Sequence, residues 1–493
     1  MRSSNSYSRT SWTMENHHCA VLRGVVKHGR TLPSTAYGDD FHQLYRCCLF
    51  CLAFRWRMTT SYVVSASLGQ ESLTYLQRFD LPTQDVAYTA FRSYAIRVKH
   101  IVHCHRVLAD LTSISMHLFH QLSSLESARI ESRATAEVAL RMSLAPRLRA
   151  LALQVGYTKS NPTSATLHGM MSLLKGSSSL EQLSVRGHSS ECLHMPLSSI
   201  TTLRSLSLHV SSLTEQSFLA VSTFPLLVDF DVHADRLSLS TAITRSSDTP
   251  FFPALEKLKI RAQPAFAASV LEQLPRDKLR SLHIDATGPV SAFEGLFKAT
   301  STLPLHGFTL EHAISIDDSE DIPAYTLDKF FTLDHLRPLS KLPLGCFILD
   351  SSLPPDLSDA DMEEMTTWWP RLDRLELGAR TALENAETSW KPRASLAGLC
   401  ALARGCKHLQ RLVVTLDTDS LFFSDSGAVP LGSHPLASLS ISSLSRPDIS
   451  SLSALLSRLF PSLVDVTPGF VGEHEDAWVA VQTAVSNLVH GGL

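Results

Sequence analysis

Cysteine and histidine are the first residues in this chain whose types and spacing could do chemistry. Cys48 and Cys51 form a C-x-x-C pair, with His42 and Cys47 close by, and "HIVHCH" gathers His100, His103, Cys104 and His105. A structural zinc ion takes four such ligands, usually as two pairs at defined spacing. No second C-x-x-C follows, so no metal site is expected. A redox C-x-x-C belongs near a strand–helix unit. Here it lies inside "LYRCCLFCLAF" (44–54), which reads as an apolar helical stretch. The nine cysteines are too few and scattered for a disulfide scaffold, which fits reduced thiols. No G-x-x-x-x-G-K-[ST], G-x-G-x-x-G, H-E-x-x-H or G-x-S-x-G occurs, and the 22 histidines are dispersed. No catalytic residue, cofactor or small-molecule substrate is expected, and the chain reads as a non-enzyme.

What does recur is L-x-x-L-x-L, with Phe, Val or Ile allowed. It runs "LRALAL" from Leu148, "LEQLSV" from Leu180, "LRSLSL" from Leu203, "LVDFDV" from Leu227, "LEKLKI" from Leu255 and "LRSLHI" from Leu279. It continues as "LHGFTL" from Leu305, "LGCFIL" from Leu344, "LDRLEL" from Leu372, "LQRLVV" from Leu409 and "LASLSI" from Leu436. A weaker "LVDV" begins at Leu463. The mean step is about 29 residues, at the upper edge of leucine-rich repeat lengths. Each copy supplies one short strand, and a return segment carries the chain back to start the next. One copy cannot bury its own apolar face; a stack can. The position eight residues after the first Leu, Asn or Cys in the longer consensus, holds Gly156, His188, Ser211, Asp235, Gln263 and Thr287. The array is therefore degenerate.

The return segments fit helices. "SLAGLCALARGC" (395–406) puts Leu396, Leu399, Cys400 and Ala403 on one stripe, and "ISSLSALLSRLF" (449–460) does so with Leu452, Leu455, Leu456 and Leu459. "TLHGMMSLL" (166–174) repeats the pattern. The expected fold is α/β: an irregular leucine-rich-repeat solenoid, a curved parallel sheet with helices on its convex side, after a helical and partly disordered N-terminal region. The expected division is a disordered tail at 1–40, an apolar helical segment at 41–79 and a helical cap or linker at 80–147. Repeats at 148–475 and a capping helix at 476–493 complete it. In that cap Trp478, Val481, Val485, Leu488 and Val489 share a face.

In such a strand the Leu positions face the core and the residues between them face the concave side. That face collects the candidate partner-binding residues: Arg186 and His209; Asp229, Asp231 and His233; Lys257, Lys259 and Arg261; His283 and Asp285. Later strands add Glu311, Asp350, Arg374, Glu376 and Arg411. An acidic strand thus lies beside a basic one. Cross-strand ion pairing on a solvated face and a charged docking patch both fit this pattern.

Bulk properties narrow the partners. The chain has 493 residues, 44% hydrophobic and 18% charged, enough to bury a long core. Its formal net charge of -3 suggests neither nucleic acid nor an anionic membrane. No apolar run is long enough to span a bilayer. The first thirty residues show no signal peptide pattern, so a cytoplasmic or nuclear protein is expected.

Two stretches carry a resemblance to a family. "DLPTQDVAYTAFRSYAIRVKHI" (80–101), with Asp85, Phe91, Tyr94, Ala95, Arg97 and Val98, resembles the segment after the F-box in many fungal F-box/leucine-rich-repeat-like proteins. "PRASLAGLCALARGCKHLQRLVVTLD" (392–417) and "LSRLFPSLVDV" (456–466) resemble their late repeats. The resemblance spans roughly 80–490. It implies a substrate-recognition subunit of a cullin ubiquitin ligase, bound through a Skp-type adaptor and holding a protein substrate on the repeats. The F-box itself is not evident in residues 1–79. A repeat scaffold with no ligase link is the alternative.

Overall fold

The computed structural model describes residues 55–57, 63–64, 100–102, 122–130, 147–155, 179–187, 197, 200–211, 213–237, 251–313, 329–378, 390–419, 434–469 and 474–490. Among the described residues sixteen strands form one sheet in the order β16 to β3, then β1 and β2. The first four are β1 (Arg55–Arg57), β2 (Val63–Val64), β3 (His100–Val102) and β4 (Ser124–Ile130). Then come β5 (Ala150–Val155), β6 (Gln182–Gly187), β7 (Ser205–Val210), β8 (Asp229–His233), β9 (Lys257–Arg261) and β10 (Ser281–Thr287). The array closes with β11 (Gly307–Ala313), β12 (Cys346–Ser351), β13 (Arg374–Leu377), β14 (Arg411–Thr415), β15 (Ser438–Ser442) and β16 (Asp465–Pro468). From β3 onward every pairing is parallel. The chain is an irregular leucine-rich-repeat solenoid.

Every L-x-x-L-x-L copy lands on one strand, β5 to β16, in order. The opening leucines, Leu148 through Leu463, are each 1% exposed or less. The second and third apolar positions stack in register: Leu206, Phe230, Leu258, Leu282, Phe308, Phe347, Leu375 and Leu412 form one unbroken row. Burying each such side chain stabilises the fold by about 1.5–3 kcal/mol before chain entropy. The backbone repeats as well. One carbonyl per copy accepts two N–H groups from the next: Glu181 takes Arg204 and Ser205, Arg204 takes Val228 and Asp229, Val228 takes Glu256 and Lys257.

Within 80–147, expected to be helical, the described residues form strands β3 and β4, and within 41–79 they form the antiparallel pair β1–β2. In β4 the reason is a register shift. Leu122 is fully buried like the other opening leucines, and the Ser123 carbonyl accepts Arg149 and Ala150 as in every later copy. Leu125 pairs with Leu151, but Ala128, three residues on, pairs with Leu153. One extra residue breaks the L-x-x-L-x-L spacing while preserving the repeat. Val63, Val64, Ile101 and Val102 are β-branched, which favours strand over helix. The proposed tail at 1–40 and the 166–174 stripe lie outside the described residues.

The return helices are α1 (Glu215–Ser222), α2 (Pro264–Gln273), α3 (Glu294–Thr300), α4 (Leu333–Leu336), α5 (Asp359–Thr366), α6 (Leu396–Gly405) and α7 (Ile449–Leu459). Several start on a side-chain cap: Thr214 caps α1, Ser358 forms a capping box with Asp361 on α5, and Asp448 caps α7. A ring cluster of Phe218, Phe230, Phe251, Phe252 and Phe266 fills the space between α1, α2 and the sheet. Further on, Trp369 lies on Phe347 and donates from Nε1 to the Leu339 carbonyl at 3.1 Å.

Helices α5 and α6 approach through glycine. A Cβ on Gly398 would lie 2.7 Å from Asp359 Oδ1, and one on Gly405, two turns along, 2.3 Å from Thr366 Cβ. Gly405→Ala is therefore expected to lower stability by about 1–3 kcal/mol through overpacking. The helix-propensity gain of up to about 1 kcal/mol only partly offsets this. A urea midpoint equal to or above wild type would show that the helices separate without cost.

The far end is closed by α8 (Glu475–His490). Trp478, Val481 and Val485 are buried against α7 and β16, and Val489 is half-buried. Leu488, expected on the same face, is 54% exposed: the last turn keeps only Val489 against the core. Gln482 imitates a peptide group toward the final strand. Val466 N–H donates to its Oε1, and its Nε2 donates to the Val464 carbonyl at 3.1 Å.

Candidate functional site

On β6 to β13 the alternation is strict: every residue between the core positions carries solvent exposure, and no described element covers that face. Further on the pattern fails. In β14 and β15, Val413, Thr415, Ser440 and Ser442 are buried too. The polar open face therefore belongs to the middle of the array.

All ten candidate residues stand on it, in three registered rows. Asp229 pairs with Lys257, Asp231 with Lys259 and His233 with Arg261 across β8 and β9. Arg186 pairs with His209 across β6 and β7, and His283 and Asp285 continue the rows from Lys259 and Arg261 onto β10. The acidic strand and the basic strand are thus direct neighbours.

The pairing is selective. Arg186 Nη2 donates to His209 Nδ1 at 3.2 Å. His209 Nε2 lies 2.9 Å from Asp231 Oδ1, a close contact off the line of a good hydrogen bond. The His209 and His233 rings stack with centroids 3.9 Å apart. Arg261 reaches Asp235 at 3.2 Å and Asp285 at 3.6 Å, and His283 Nε2 lies 2.8 Å from Glu311 Oε1. Lys257 and Lys259 are exposed and make no salt bridge among the described residues. Ion pairing therefore occupies Arg261 and leaves two lysines for a partner.

The electrostatics follow from crowding. Burial lowers the His233 pKa, helped by the charges of His209 and Arg261. Burial and Lys259 do the same to His283. Burial pushes the Asp231 carboxyl up, but the contact with His209 and the charges of His209, Lys259 and His233 outweigh it, and its pKa falls. Asp229 and Asp285 are raised, chiefly by burial. A second charged group sits further along, where Arg374 and Arg411 both donate to Glu376 Oε1, at 2.8 and 2.6 Å.

A pocket of about 440 Å³ opens at the C-terminal ends of β6, β7 and β8, walled by Arg186, His209, His233, Asp235 and Arg236 among others. Arg236 and Asp235 were not among the expected face residues, because they follow β8 in its exit loop. Only Asp235 carried a signal, the degenerate consensus position: it stands eight residues after Leu227, where Asn or Cys is usual.

A scan of family models and a search of curated proteins find no match. Solved structures that match include an internalin (inlF) from Listeria monocytogenes. It is 13% identical over 83% of this chain and 91% of its own, with a TM-score of 0.36. A yeast Rad7 and Elc1 complex matches at 11% identity over 94% of this chain and 96% of its own, also with a TM-score of 0.36.

Among the described residues three cysteines occur, and none has a lowered thiol pKa. Burial raises the Cys346 and Cys400 thiols, and pushes Cys406 up to about 11. No group of three or more His, Cys, Asp or Glu that could hold a metal occurs among the described residues. Cys48, Cys51, His103, Cys104 and His105 lie outside them, and His100 begins β3. No helix among the described residues is long and apolar enough to cross a membrane.

Proposed function

We propose that this chain is a non-enzymatic protein-interaction module whose open face, centred on β6 to β10, holds a protein partner. The observation that carries this is the run of registered polar rows on a parallel sheet, with Lys257 and Lys259 exposed and in no salt bridge among the described residues. A surface of fixed, outward-facing side chains on regular strands recognises another macromolecule by shape and charge, and does so without chemistry. The finer reading is an F-box-type substrate-recognition subunit of a cullin ubiquitin ligase. It is supported by the resemblance of "DLPTQDVAYTAFRSYAIRVKHI" and of the late repeats to that family. In that role a Skp-type adaptor would bind N-terminal to the repeats, and the open face would hold the substrate.

Two measurements test the two levels. Full-length protein mixed with purified Skp adaptor is expected to form a one-to-one complex. A monodisperse, folded sample that fails to bind it removes the ligase role and leaves the scaffold reading. Reversal of Lys257, Lys259 and Arg261 to Glu together is expected to abolish capture of the partner identified by crosslinking to the wild-type face. Melting of this variant should fall modestly, because the new carboxylates face Asp229, Asp231 and Asp285 across the strands, whereas the neutral triple Gln variant should melt near wild type and still lose capture. Unchanged capture by a folded variant sinks the open-face reading.

A further inference from the structure

The pocket at the ends of β6, β7 and β8 has an unusual balance of charge. Arg186 and Arg236 stand in its wall, both exposed, and neither meets a carboxylate among the described residues. Arg186 gives one N–H to His209, and Arg236 Nη1 reaches the Ser211 carbonyl at 3.4 Å. The acids nearby are already engaged: Asp235 by Arg261, and Asp231 by His209. Two guanidinium forks therefore retain most of their donors around a solvent-open cavity. Planar forks of this kind match carboxylates in bidentate geometry.

We propose that this pocket seats the carboxylate of an Asp or Glu side chain from a protein partner, and that a second acidic residue of the same segment meets Lys257 and Lys259. The inference rests on the reading of the open face as a partner-binding surface, and names the chemistry of what binds there. Spacing follows from the sheet. The pocket is centred near β7, between Arg186 on β6 and Arg236 after β8; the lysines stand on β9, two strand intervals across and, midway between them, about three residues back along the strand, roughly 14 Å away at about 4.8 Å per interval and about 3.3 Å per residue. An extended segment crossing the strands covers that distance in about four residues at about 3.3 Å each. The partner motif is thus two acidic residues four positions apart. A single negative charge suits the pocket better than a phosphate dianion, because Asp231 and Asp235 remain close enough to repel the second charge.

The test uses the full chain and fluorescein-labelled synthetic peptides carrying two Glu at spacings of two, four and eight residues. A Gln-for-Glu peptide and a phosphoserine-for-Glu peptide serve as controls, all read by fluorescence polarisation. The four-spaced Glu peptide is expected to bind at least tenfold more tightly than its Gln counterpart and than the other spacings, and to weaken with added salt. Arg186→Gln with Arg236→Gln is expected to weaken it at least tenfold without moving the melting curve. Equal binding of Glu and Gln peptides, no effect of the double variant, or tighter binding of the phosphoserine peptide overturns the proposal. If the lysine and arginine reversal abolishes partner capture while the double variant does not, the pocket assignment fails and the open-face reading stands. If neither variant affects capture, both fail.

Discussion

Phe331→Ala is expected to cost about 3–5 kcal/mol, the largest loss of any single truncation considered for this chain. Phe331 is fully buried. Its ring meets Phe293 and Phe297 edge-on at 5.5 and 5.8 Å, His312 at 5.0 Å and His335 at 6.2 Å. It therefore joins two return segments to the end of β11. Its removal also strips the cover from His312, whose ring is only 4% exposed. His312 Nδ1 meets Ser351 Oγ at 2.7 Å and Nε2 meets the Gly288 carbonyl at 2.9 Å, so one imidazole ties together the exits of β10, β11 and β12. A repeat array holds together only through contacts between neighbours, so a hole at such a junction is felt on both sides. Urea denaturation followed by circular dichroism measures the loss. Phe331→Leu should recover most of it. A loss below about 1 kcal/mol would mean that the surrounding rings collapse into the space.

The second large effect is expected from Asp359→Ala, at about 2–4 kcal/mol. Asp359 opens α5, yet its carboxylate serves the next helix. Oδ1 accepts the backbone N–H of Ser395 at 2.7 Å and of Gly398 at 2.8 Å, and Oδ2 accepts the Ser395 hydroxyl at 2.8 Å. Those N–H groups sit at the start of α6, where a helix leaves donors without partners and presents positive potential. Alanine would orphan them in a half-buried place. Asparagine keeps one acceptor oxygen and should lose about half as much. Hydrogen exchange separates this account from general loosening. The Ser395 and Gly398 amides should lose protection before those of β13 and β14 do. Uniform loss of protection across both strands would contradict the local cap.

Asp359 belongs to the acidic run "DADMEEM" (359–365), a pattern that fits a solvated loop or helix end. Charge alone does not say which helix a carboxylate serves, since Ser395 lies 36 residues away. The strands were legible for a different reason. A buried position repeated in every copy leaves a periodic trace, and Leu148 to Leu463 carry it. Where an inserted residue broke the period, at Leu125 to Ala128, the strand was missed although its backbone pairing is the same. The candidate face was legible because alternation is a local rule. Its internal organisation was not. His209 and His233 occupy the same position in successive copies, which places them side by side, but only the register shows that the rings stack and that Asp231 holds one of them. Arg236 was invisible because it projects from a loop, where no period applies.

The Gln482 side chain at the end of the array has a consequence for the chain's behaviour in a crowd. A parallel sheet that stops at β16 would present a row of open amides and carbonyls, and a second molecule could continue it. By answering Val466 N–H and the Val464 carbonyl with an amide of its own, α8 makes the last rung already complete. Head-to-tail extension from this end is thereby disfavoured, because Gln482 already occupies the amide and the carbonyl that an added strand would need.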